Sequence, residues 1–270
     1  MFRAASLSEN CTCWDEEEDI WTLECNHKMA KEKFNAYVDY YKRVLNGGKL
    51  VVAISDRKNF RKEVYPDYKG NRKGQRKPTG FRQLLDWILD EGVGHPWKPL
   101  CKGTLEADDL IGILHTKPGT NTIAVSDDKD FLQLPGTFAR IGLGGREMEV
   151  FEISEEEADR FFYTQCISGD ATDGYAGAKG FGFDTASKLI DGFVALELYE
   201  HELKSGKRKG EIEMRKRERA ATSYWDIVTS AYEVCGMTEE DALLTARMAR
   251  ILRYTDYDHM TKEPILWTPS

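Results

Sequence analysis

The sequence predicts an α/β fold built around a largely parallel sheet. Two short apolar runs rich in β-branched residues, at 49–55 and 121–126, are typical of buried strands, and each ends in acidic residues. Between them, 104–115 carries leucine and isoleucine at helical spacing. Strands that alternate with helices in this way indicate an α/β fold whose strands run mostly parallel.

The amino-terminal elements follow from the same patterns. Residues 16–45 are predicted to be helical, because Asn46-Gly47-Gly48 provides a helix stop. The basic stretch 57–80 is broken by prolines and glycines, which predicts a mobile loop or a loosely ordered arch. Thr79 is then expected to cap a helix over 81–92.

Further strands are expected at 138–142 and 148–153. The second leads into a helix that Ser154 caps, with Glu157 at the capping-box position. All of the chain after about residue 155 is predicted to be helical.

Composition excludes some classes of protein. The chain has 270 residues and 41% hydrophobic content, which supports a core, and no apolar run approaches the roughly 18 residues of a membrane span. No secretory signal is visible, so an intracellular protein with free thiols is expected.

Cys11, Cys13, Cys25 and His27 form a Cys-x-Cys and Cys-x-His set. Its spacing is shorter than zinc sites prefer, which favours thiols over zinc.

Basic residues are concentrated in two strips. The net charge of −8 alone argues against a polyanionic partner. Nevertheless, the segment from Arg57 to Lys77 holds nine basic and two acidic residues, and 204–219 is also strongly basic. Such a strip can bind nucleic acid locally, although a solvated charged loop is the alternative for each strip alone.

Carboxylates gather at the ends of the predicted elements. They are Asp56, Glu106, Asp108, Asp109, Asp128, Asp130, Asp170 and Asp173. Acidic residues at one helix start are ordinary capping, but so many groups at one sheet edge would repel each other without divalent cations. Oxygen-only ligands suit Mg²⁺ or Mn²⁺, and two such ions promote phosphodiester hydrolysis. The pattern predicts a metal-dependent nuclease.

A glycine-rich turn follows the last two of these carboxylates. Gly177, Gly180 and Gly182 would let backbone N–H groups approach a phosphate before the helix that starts near Thr185. The alternative is an ordinary connection between two helices.

These motifs together resemble a known family. LEADDL, SDDKDFLQL and GDATDGYAGAKGFG, preceded by YPDYKGNR, are similar to the flap-endonuclease or 5′→3′ exonuclease family, particularly the 5′-exonucleases of short-tailed (podovirus-type) DNA phages. The likeness runs from about residue 14 to 267. It implies a PIN-like core over 1–154 with a basic arch at 57–80. It also implies a helical region over 155–270, with a helix-three-turn-helix module at 155–193 and a basic loop at 204–219.

The resemblance implies an activity as well. Two Mg²⁺ ions, or Mn²⁺, would support hydrolysis of phosphodiesters at the 5′ ends or flaps of double-stranded DNA. The products would be 5′-phosphorylated nucleotides, and RNA primers in RNA/DNA hybrids would be further substrates. The setting would be phage DNA metabolism in the host cytoplasm, with no membrane partner. A PIN-type endoribonuclease is an alternative, although the arch and glycine turn favour DNA 5′ ends.

The resemblance also implies roles for individual residues. The eight carboxylates would be metal ligands, and Lys69 and Arg72 would contact the scissile phosphate. Tyr68 would stack on the terminal base or pack in the fold. The glycine turn would hold K⁺ together with the DNA backbone. Where many relatives have a basic residue after the turn, Asp184 stands here, so Lys179 and Lys188 are expected to substitute.

One expected feature precedes the first residue. Members of the family begin with an apolar strand ending in a metal-binding aspartate, followed by a segment like MFRAAS, which here starts at Met1. The expectation is that Met1 is an internal methionine of a longer protein. The 270-residue chain would then be weakly active or inactive and prone to aggregate. A catalytically impaired DNA-binding protein of the same fold is the corresponding alternative.

Overall fold

The computed structural model describes residues 1–72, 74–90, 93–140 and 147–269. Contacts divide the chain into two compact units, of which the first is Met1–Asp56 with Arg72–Lys102 and the second is Arg57–Asn71 with Gly103–Ser270. The sequence predicts a domain boundary after residue 154, and this boundary stays a prediction. We describe each unit by itself.

The first unit consists of a hairpin, three helices and a parallel strand pair. Its elements are α1 (Phe2–Ser6), β1 (Glu9–Asp15), β2 (Ile20–Cys25), α2 (His27–Val44), β3 (Val51–Ala53), α4 (Phe81–Leu89) and β4 (Lys98–Leu100). The core of this unit is formed by apolar side chains of α2 and α4 around a tryptophan, namely Phe34, Val38, Leu84, Ile88 and Trp97.

The helix predicted over 16–45 is wrong in its first third. Residues 16–25 belong to an antiparallel hairpin that pairs Glu9 with Cys25 and Asp15 with Ile20. Helix α2 begins only after Asn26, whose side chain accepts a 3.0 Å hydrogen bond from the Met29 N–H. The acidic run before Ile20 resembles a helix start, but β-formers on either side of it pair as strands. The predicted end of the helix is confirmed.

The strand predicted at 49–55 is confirmed as β3, which pairs in parallel with β4. Asp56 follows it in this unit. The capping role predicted for Thr79 is wrong: α4 is preceded by Gly80, and the Thr79 N–H instead donates to Glu9 at 2.6 Å. Two residues of the predicted helix, 91 and 92, lie outside the described residues.

The second unit holds the remaining elements. They are α3 (Arg61–Val64), α5 (Ala107–His115), β5 (Ile123–Val125), β6 (Gly136–Arg140), β7 (Glu149–Ile153), α6 (Glu155–Ser168), β8 (Gly169–Asp170), β9 (Tyr175–Ala176), α7 (Phe183–Gly192), β10 (Val194–Glu202), β11 (Ile212–Ala220), α8 (Tyr224–Glu233), α9 (Glu239–Ala249), β12 (Tyr257–Asp258) and β13 (Glu263–Pro264), with 3₁₀ turns at Lys129–Gln133 and Tyr254–Asp256.

The sheets are mixed, so the expectation of a largely parallel sheet is wrong. In the second unit β5 pairs in parallel with β6, but β6 pairs antiparallel with β7. Across the described parts of the chain, only the β5–β6 and β3–β4 pairs are parallel. Of the strand predicted at 138–142, residues 141 and 142 lie outside the described residues. β7 and the Ser154–Glu157 capping box are confirmed.

The expectation of an all-helical carboxyl-terminal region is also wrong. β10 and β11 form a nine-pair antiparallel hairpin from Val194–Ala220 to Glu202–Ile212. The basic stretch 204–219, predicted as a loop, is the turn of this hairpin and most of β11. Most positions of β11 carry charged residues, so β11 lacks the alternation of apolar and polar residues that normally indicates a strand.

The basic stretch after β3 is more ordered than the sequence predicts. Its part in the second unit contains α3 and two buried side chains, Arg61 and Tyr68, which are each 2% exposed. Helices α6, α7, α8 and α9 form the main core of this unit, around Phe162, Ile190 and Tyr232. Within the described residues, no helix is long and apolar enough to cross a membrane.

Candidate active site

A buried ion pair fixes the start of α5 in the second unit. The Arg61 guanidinium donates to both carboxylate oxygens of Asp109, at 2.8 and 2.7 Å, and Asp109 is fully buried. Asp109 also accepts hydrogen bonds from the N–H groups of Glu106 and Leu252, at 3.1 and 3.2 Å. Burial alone would lower the pKa of Arg61, but the charge and hydrogen bonds of Asp109 outweigh it and raise the pKa above its ordinary value. Because its oxygens are satisfied within the protein, Asp109 has a structural role.

Glu106 lies between two basic residues and a tyrosine. Lys69 Nζ contacts Glu106 Oε1 at 2.6 Å, and the Tyr68 hydroxyl donates to Glu106 Oε2 at 3.0 Å. Burial would raise the pKa of Glu106, but Arg61 and Lys69 outweigh it and hold the pKa below its ordinary value. Glu106 is therefore an anion in this arrangement.

The same lysine and tyrosine also contact Asp173. Lys69 Nζ lies 3.4 Å from Asp173 Oδ2, and the Tyr68 hydroxyl oxygen lies 3.2 Å from the same oxygen. The Lys69 backbone has a φ of 55°, and its N–H donates to the Asp173 carbonyl at 2.7 Å. Left-handed φ is uncommon for lysine, so this bond holds the residue where its side chain meets the two carboxylates.

Asp170 organises the loop that carries Asp173. Its Oδ1 accepts hydrogen bonds from the N–H groups of Thr172 and Asp173 at 2.7 and 3.3 Å, and its Oδ2 lies 3.5 Å from Lys129 Nζ. Asp170 is 7% exposed and pairs in β8 rather than ending a helix. One oxygen therefore shapes the loop and the other has a cationic neighbour.

Asp128 and Asp130 follow β5 at the start of a 3₁₀ turn. Asp128 caps this turn by accepting from the Asp130 N–H at 3.0 Å. Burial, together with the charges of Asp128, Asp170 and Asp173, raises the pKa of Asp130 to about 6. The carboxylates at the end of β5 and in the 170–173 loop therefore repel one another electrostatically.

The pKa of Asp108, in the first turn of α5, is raised in the same way. Burial raises its pKa to about 7, together with the charges of Glu106, Asp128 and Asp109, although Lys69 opposes this. The carboxylates of α5, of the turn after β5 and of the 170–173 loop thus lie close enough for their charges to act on one another. We call this group the cluster; its members are Glu106, Asp108, Asp109, Asp128, Asp130, Asp170 and Asp173. Among the described residues, no group of three or more histidine, cysteine, aspartate or glutamate side chains is close enough together to hold a metal ion.

Comparison with protein families shows to which family the chain that carries these carboxylates belongs. A model described as "5'-3' exonuclease, N-terminal resolvase-like domain" matches residues 26–160. The chain belongs to the 5′-3′ exonuclease family. Family membership identifies it as a nuclease, and the mixed α/β, PIN-like fold class agrees with the resolvase-like domain of the model.

Two relatives that match this exonuclease over its whole length are phage proteins. An exodeoxyribonuclease of Enterobacteria phage T3 is 34% identical over 281 residues, which cover 100% of this chain and 90% of that protein. An exonuclease of Escherichia phage T7 is similar to the same extent. The solved structure titled "Divalent metal ions (zinc) bound to T5 5'-exonuclease" is 21% identical, covering 60% of this chain and 67% of that chain with a TM-score of 0.47. The two phage relatives are an exodeoxyribonuclease and an exonuclease, which gives no support to a catalytically impaired binding protein.

The glycine turn of this exonuclease has two kinds of glycine. A Cβ atom on Gly177 would lie 2.2 Å from the Ile167 carbonyl oxygen, and one on Gly169 would lie 2.2 Å from the Gly177 nitrogen. By contrast, a Cβ atom on Gly180 or Gly182 would meet nothing within 4 Å. Gly177 thus serves close backbone packing, whereas Gly180 and Gly182 have open space at the Cβ position, and Gly180 and Lys179 line a shallow cavity of about 440 Å³.

The other predicted residues are distributed as follows. Tyr68 is 2% exposed and stacks on Tyr175 with 6.3 Å between ring centroids, which supports packing over base stacking. Lys179 and Lys188 are exposed in the second unit. Asp56 and the exposed Arg72 belong to the first unit.

Sequence reasoning missed three residues around this cluster, namely Arg61, Gln133 and Gln165. Gln165 donates to Asp130 at 3.0 Å, and Gln133 contacts Gln165 at 3.3 Å. Arg61 was counted only as part of a basic strip. Polar residues within apolar segments, such as Gln165 before Cys166-Ile167, were the available signal.

Proposed function

We propose that this exonuclease is metal-dependent and removes nucleotides from the 5′ ends or flaps of double-stranded DNA, using two Mg²⁺ ions or Mn²⁺. The observation that carries the proposal is that Asp108 and Asp130 both feel the charge of Asp128. Their pKa values are raised to about 7 and about 6 by burial and by neighbouring carboxylates. Buried carboxyl groups whose ionisation is opposed by neighbouring carboxylates are typical of a site that binds a divalent cation.

The proposed ligands are the carboxylates of the second unit that face this cluster: Glu106, Asp108, Asp128, Asp130, Asp170 and Asp173. Asp109 is left out, because Arg61 and two backbone N–H groups occupy its oxygens. Oxygen donors without histidine or cysteine fit Mg²⁺ or Mn²⁺. When bound, the ions would supply a water nucleophile of lowered pKa and stabilise charge on the phosphate. Asp56 and Arg72 stay predictions from the sequence.

The protein's own cations would handle the phosphate. Lys69, held by its backbone bond to Asp173, would move its ammonium group from Glu106 and Asp173 to the scissile phosphate when metal neutralises those carboxylates. Tyr68 would donate its one hydroxyl hydrogen to either of these carboxylates, because burial raises its pKa far above the ordinary value and keeps it protonated.

The proposed substrate is DNA, as the name of the phage T3 relative says of that protein. The backbone N–H groups near Gly180 and Gly182, at the start of α7, would hold a backbone phosphate with K⁺, and Lys179 and Lys188 would add positive charge. This region, α6 to α7, is the proposed helix-three-turn-helix. RNA primers in hybrids are further proposed substrates, and the proposed setting is phage DNA metabolism in the host cytoplasm.

The test uses the whole purified chain and a duplex with a radioactive phosphate at each 5′ end. We expect Mg²⁺ to release labelled 5′-mononucleotides and EDTA to stop the release. A single-stranded RNA of the same sequence serves as control, because preferential internal cleavage of that RNA would support the endoribonuclease alternative. Release that continues in EDTA would refute metal dependence.

A further inference from the structure

A chain of two buried amides leads from α9 to Asp130. Gln133 and Gln165 are 0% and 2% exposed, respectively. Gln165 lies on α6, and Gln133 ends the 3₁₀ turn that begins after Asp128. Buried amides are costly unless their donors and acceptors are paired, so the partners of these two groups define what they do.

The backbone fixes which way the first amide points. Gln133 Nε2 donates to the Ala249 carbonyl at 2.9 Å, and Gln133 Oε1 accepts from the Ile251 N–H at 2.8 Å. A carbonyl can only accept and an N–H can only donate, so the amide of Gln133 cannot be reversed without losing both bonds.

This orientation determines the second amide. The remaining N–H of Gln133 Nε2 points at Gln165 Oε1, 3.3 Å away. Gln165 must therefore direct its own NH₂ group elsewhere, and it donates to Asp130 Oδ1 at 3.0 Å. The Ala249 carbonyl and the Ile251 N–H thus orient Gln133, Gln133 orients Gln165, and Gln165 donates to Oδ1 of Asp130.

We infer that Gln165 is a positioning residue for Asp130, and that Gln133 holds Gln165 in the orientation that this requires. The inference rests on the proposed function, in which Asp130 is a metal ligand. Holding Oδ1 fixes the rotation of the carboxylate and leaves Oδ2 for the cation. Partners behind a metal ligand typically change metal affinity or activity by about 10- to 100-fold when removed.

Gln165→Met removes the donor while keeping an unbranched side chain of similar length. The matched control is Thr164→Val on the same helix, because Thr164 is 3% exposed and its hydroxyl donates to the Arg160 carbonyl of α6 at 2.8 Å. Gln165→Met loses two hydrogen bonds, one to Asp130 and one from Gln133, whereas Thr164→Val loses one, and only Gln165→Met loses a bond to a proposed ligand.

The measurement is Mn²⁺ binding to the whole chain without DNA, by isothermal titration calorimetry. We expect Gln165→Met to bind Mn²⁺ at least about 10-fold more weakly and Thr164→Val to bind like the wild type. In cleavage assays, Gln165→Met should need correspondingly more Mn²⁺ for half-maximal rate, with the KM for DNA unchanged. A purely structural role would lower thermal stability in both variants without changing the Mn²⁺ requirement.

Equal Mn²⁺ affinity of Gln165→Met and wild type would overturn the inference. If Gln165→Met does not fold, Gln165→Asn keeps an amide that is one methylene too short to reach Asp130, and the same outcomes apply to it. A wild-type chain that neither binds Mn²⁺ nor cleaves DNA would instead refute the proposed function, so the two failures are distinguishable.

Discussion

Arg61 and Asp109 form a two-bond ion pair although 48 residues separate them and both side chains are almost completely buried. The same guanidinium also donates to the carbonyl groups of Met248 and Arg250. One side chain therefore ties α3, the start of α5 and the end of α9 together.

Removing one partner of this pair should destabilise the fold strongly. For Asp109→Asn we expect the free energy of unfolding to fall by about 3–5 kcal/mol, because an unpaired charge stays buried. Urea denaturation followed by circular dichroism measures it. The control is Asp86→Asn, which breaks an exposed pair with Arg82 and should change stability by less than about 1 kcal/mol. Equal effects of the two variants would contradict the structural role of Asp109.

Replacing Asp128 and Asp130 by asparagine should abolish cleavage and leave DNA binding intact or tighter. The metal ligands are lost, but so is repulsion between the carboxylates and the phosphates. Single-turnover cleavage and fluorescence anisotropy with labelled duplex separate the two quantities. The exposed neighbour Asp127→Asn is the control and should cleave DNA. Normal cleavage by the double variant would show that the end of β5 does not hold metal.

Lys69→Ala should lower turnover much more than affinity. A contact made in the transition state acts on the chemical step, and we expect a loss of about 10²- to 10³-fold in kcat. The measurements are single-turnover rates at saturating enzyme and Kd by anisotropy. Lys62→Ala, a change at an exposed lysine of α3, is the matched control. A pure loss of affinity would reduce Lys69 to a binding contact.

Divalent-ion binding should depend on pH through Asp108 and Asp130. Their pKa values of about 7 and about 6 lie above the roughly 3.9 of an unfolded aspartate, so the folded, metal-free chain holds extra protons between these values. These groups therefore make the metal-free fold less stable as pH rises through this window. Cations bind the ionised form, so Mn²⁺ affinity should rise from pH 5.5 to 8 and binding should release protons.

Calorimetry in two buffers with different ionisation enthalpies counts those protons. Thermal unfolding with and without Mn²⁺ at each pH provides the second measurement, and the stabilisation by Mn²⁺ should grow with pH. Affinity that stays constant across this range would show that the two carboxyl groups do not take part in binding.

The turn between β10 and β11 should contribute to DNA affinity through charge alone. Lys207 and Lys209 are exposed there, whereas Arg208 contacts Glu211 at 2.6 Å. Changing both lysines to glutamine should reduce the slope of log Kd against log salt by up to about 2, as counterion release predicts. Anisotropy at several KCl concentrations gives the slope. An unchanged slope would mean that the turn does not contact DNA.

The sequence predicted the chemistry better than it predicted the sheets. Motif carboxylates were expected at the ends of strands and helices: Asp108 lies in the first turn of α5 and Asp128 follows β5, whereas Asp170 lies within the antiparallel strand β8. The β1–β2 and β10–β11 hairpins were missed, because both carry charged residues where strand patterns are usually apolar. The role of Asp109 could not be predicted, since its partner Arg61 is distant in sequence and belonged to an apparently uniform basic strip.

The close approach of Gly169 and Gly177 has a consequence for how this region tolerates change. Their backbones touch, so the seven residues between them form a ring that is closed at its base. Side chains larger than hydrogen at either glycine would force the ring open and displace Asp170 and Asp173 together. Variation in a collection of functional sequences should therefore be concentrated at the exposed positions Ala171 and Thr172, with the two closing glycines and the length of the ring kept constant.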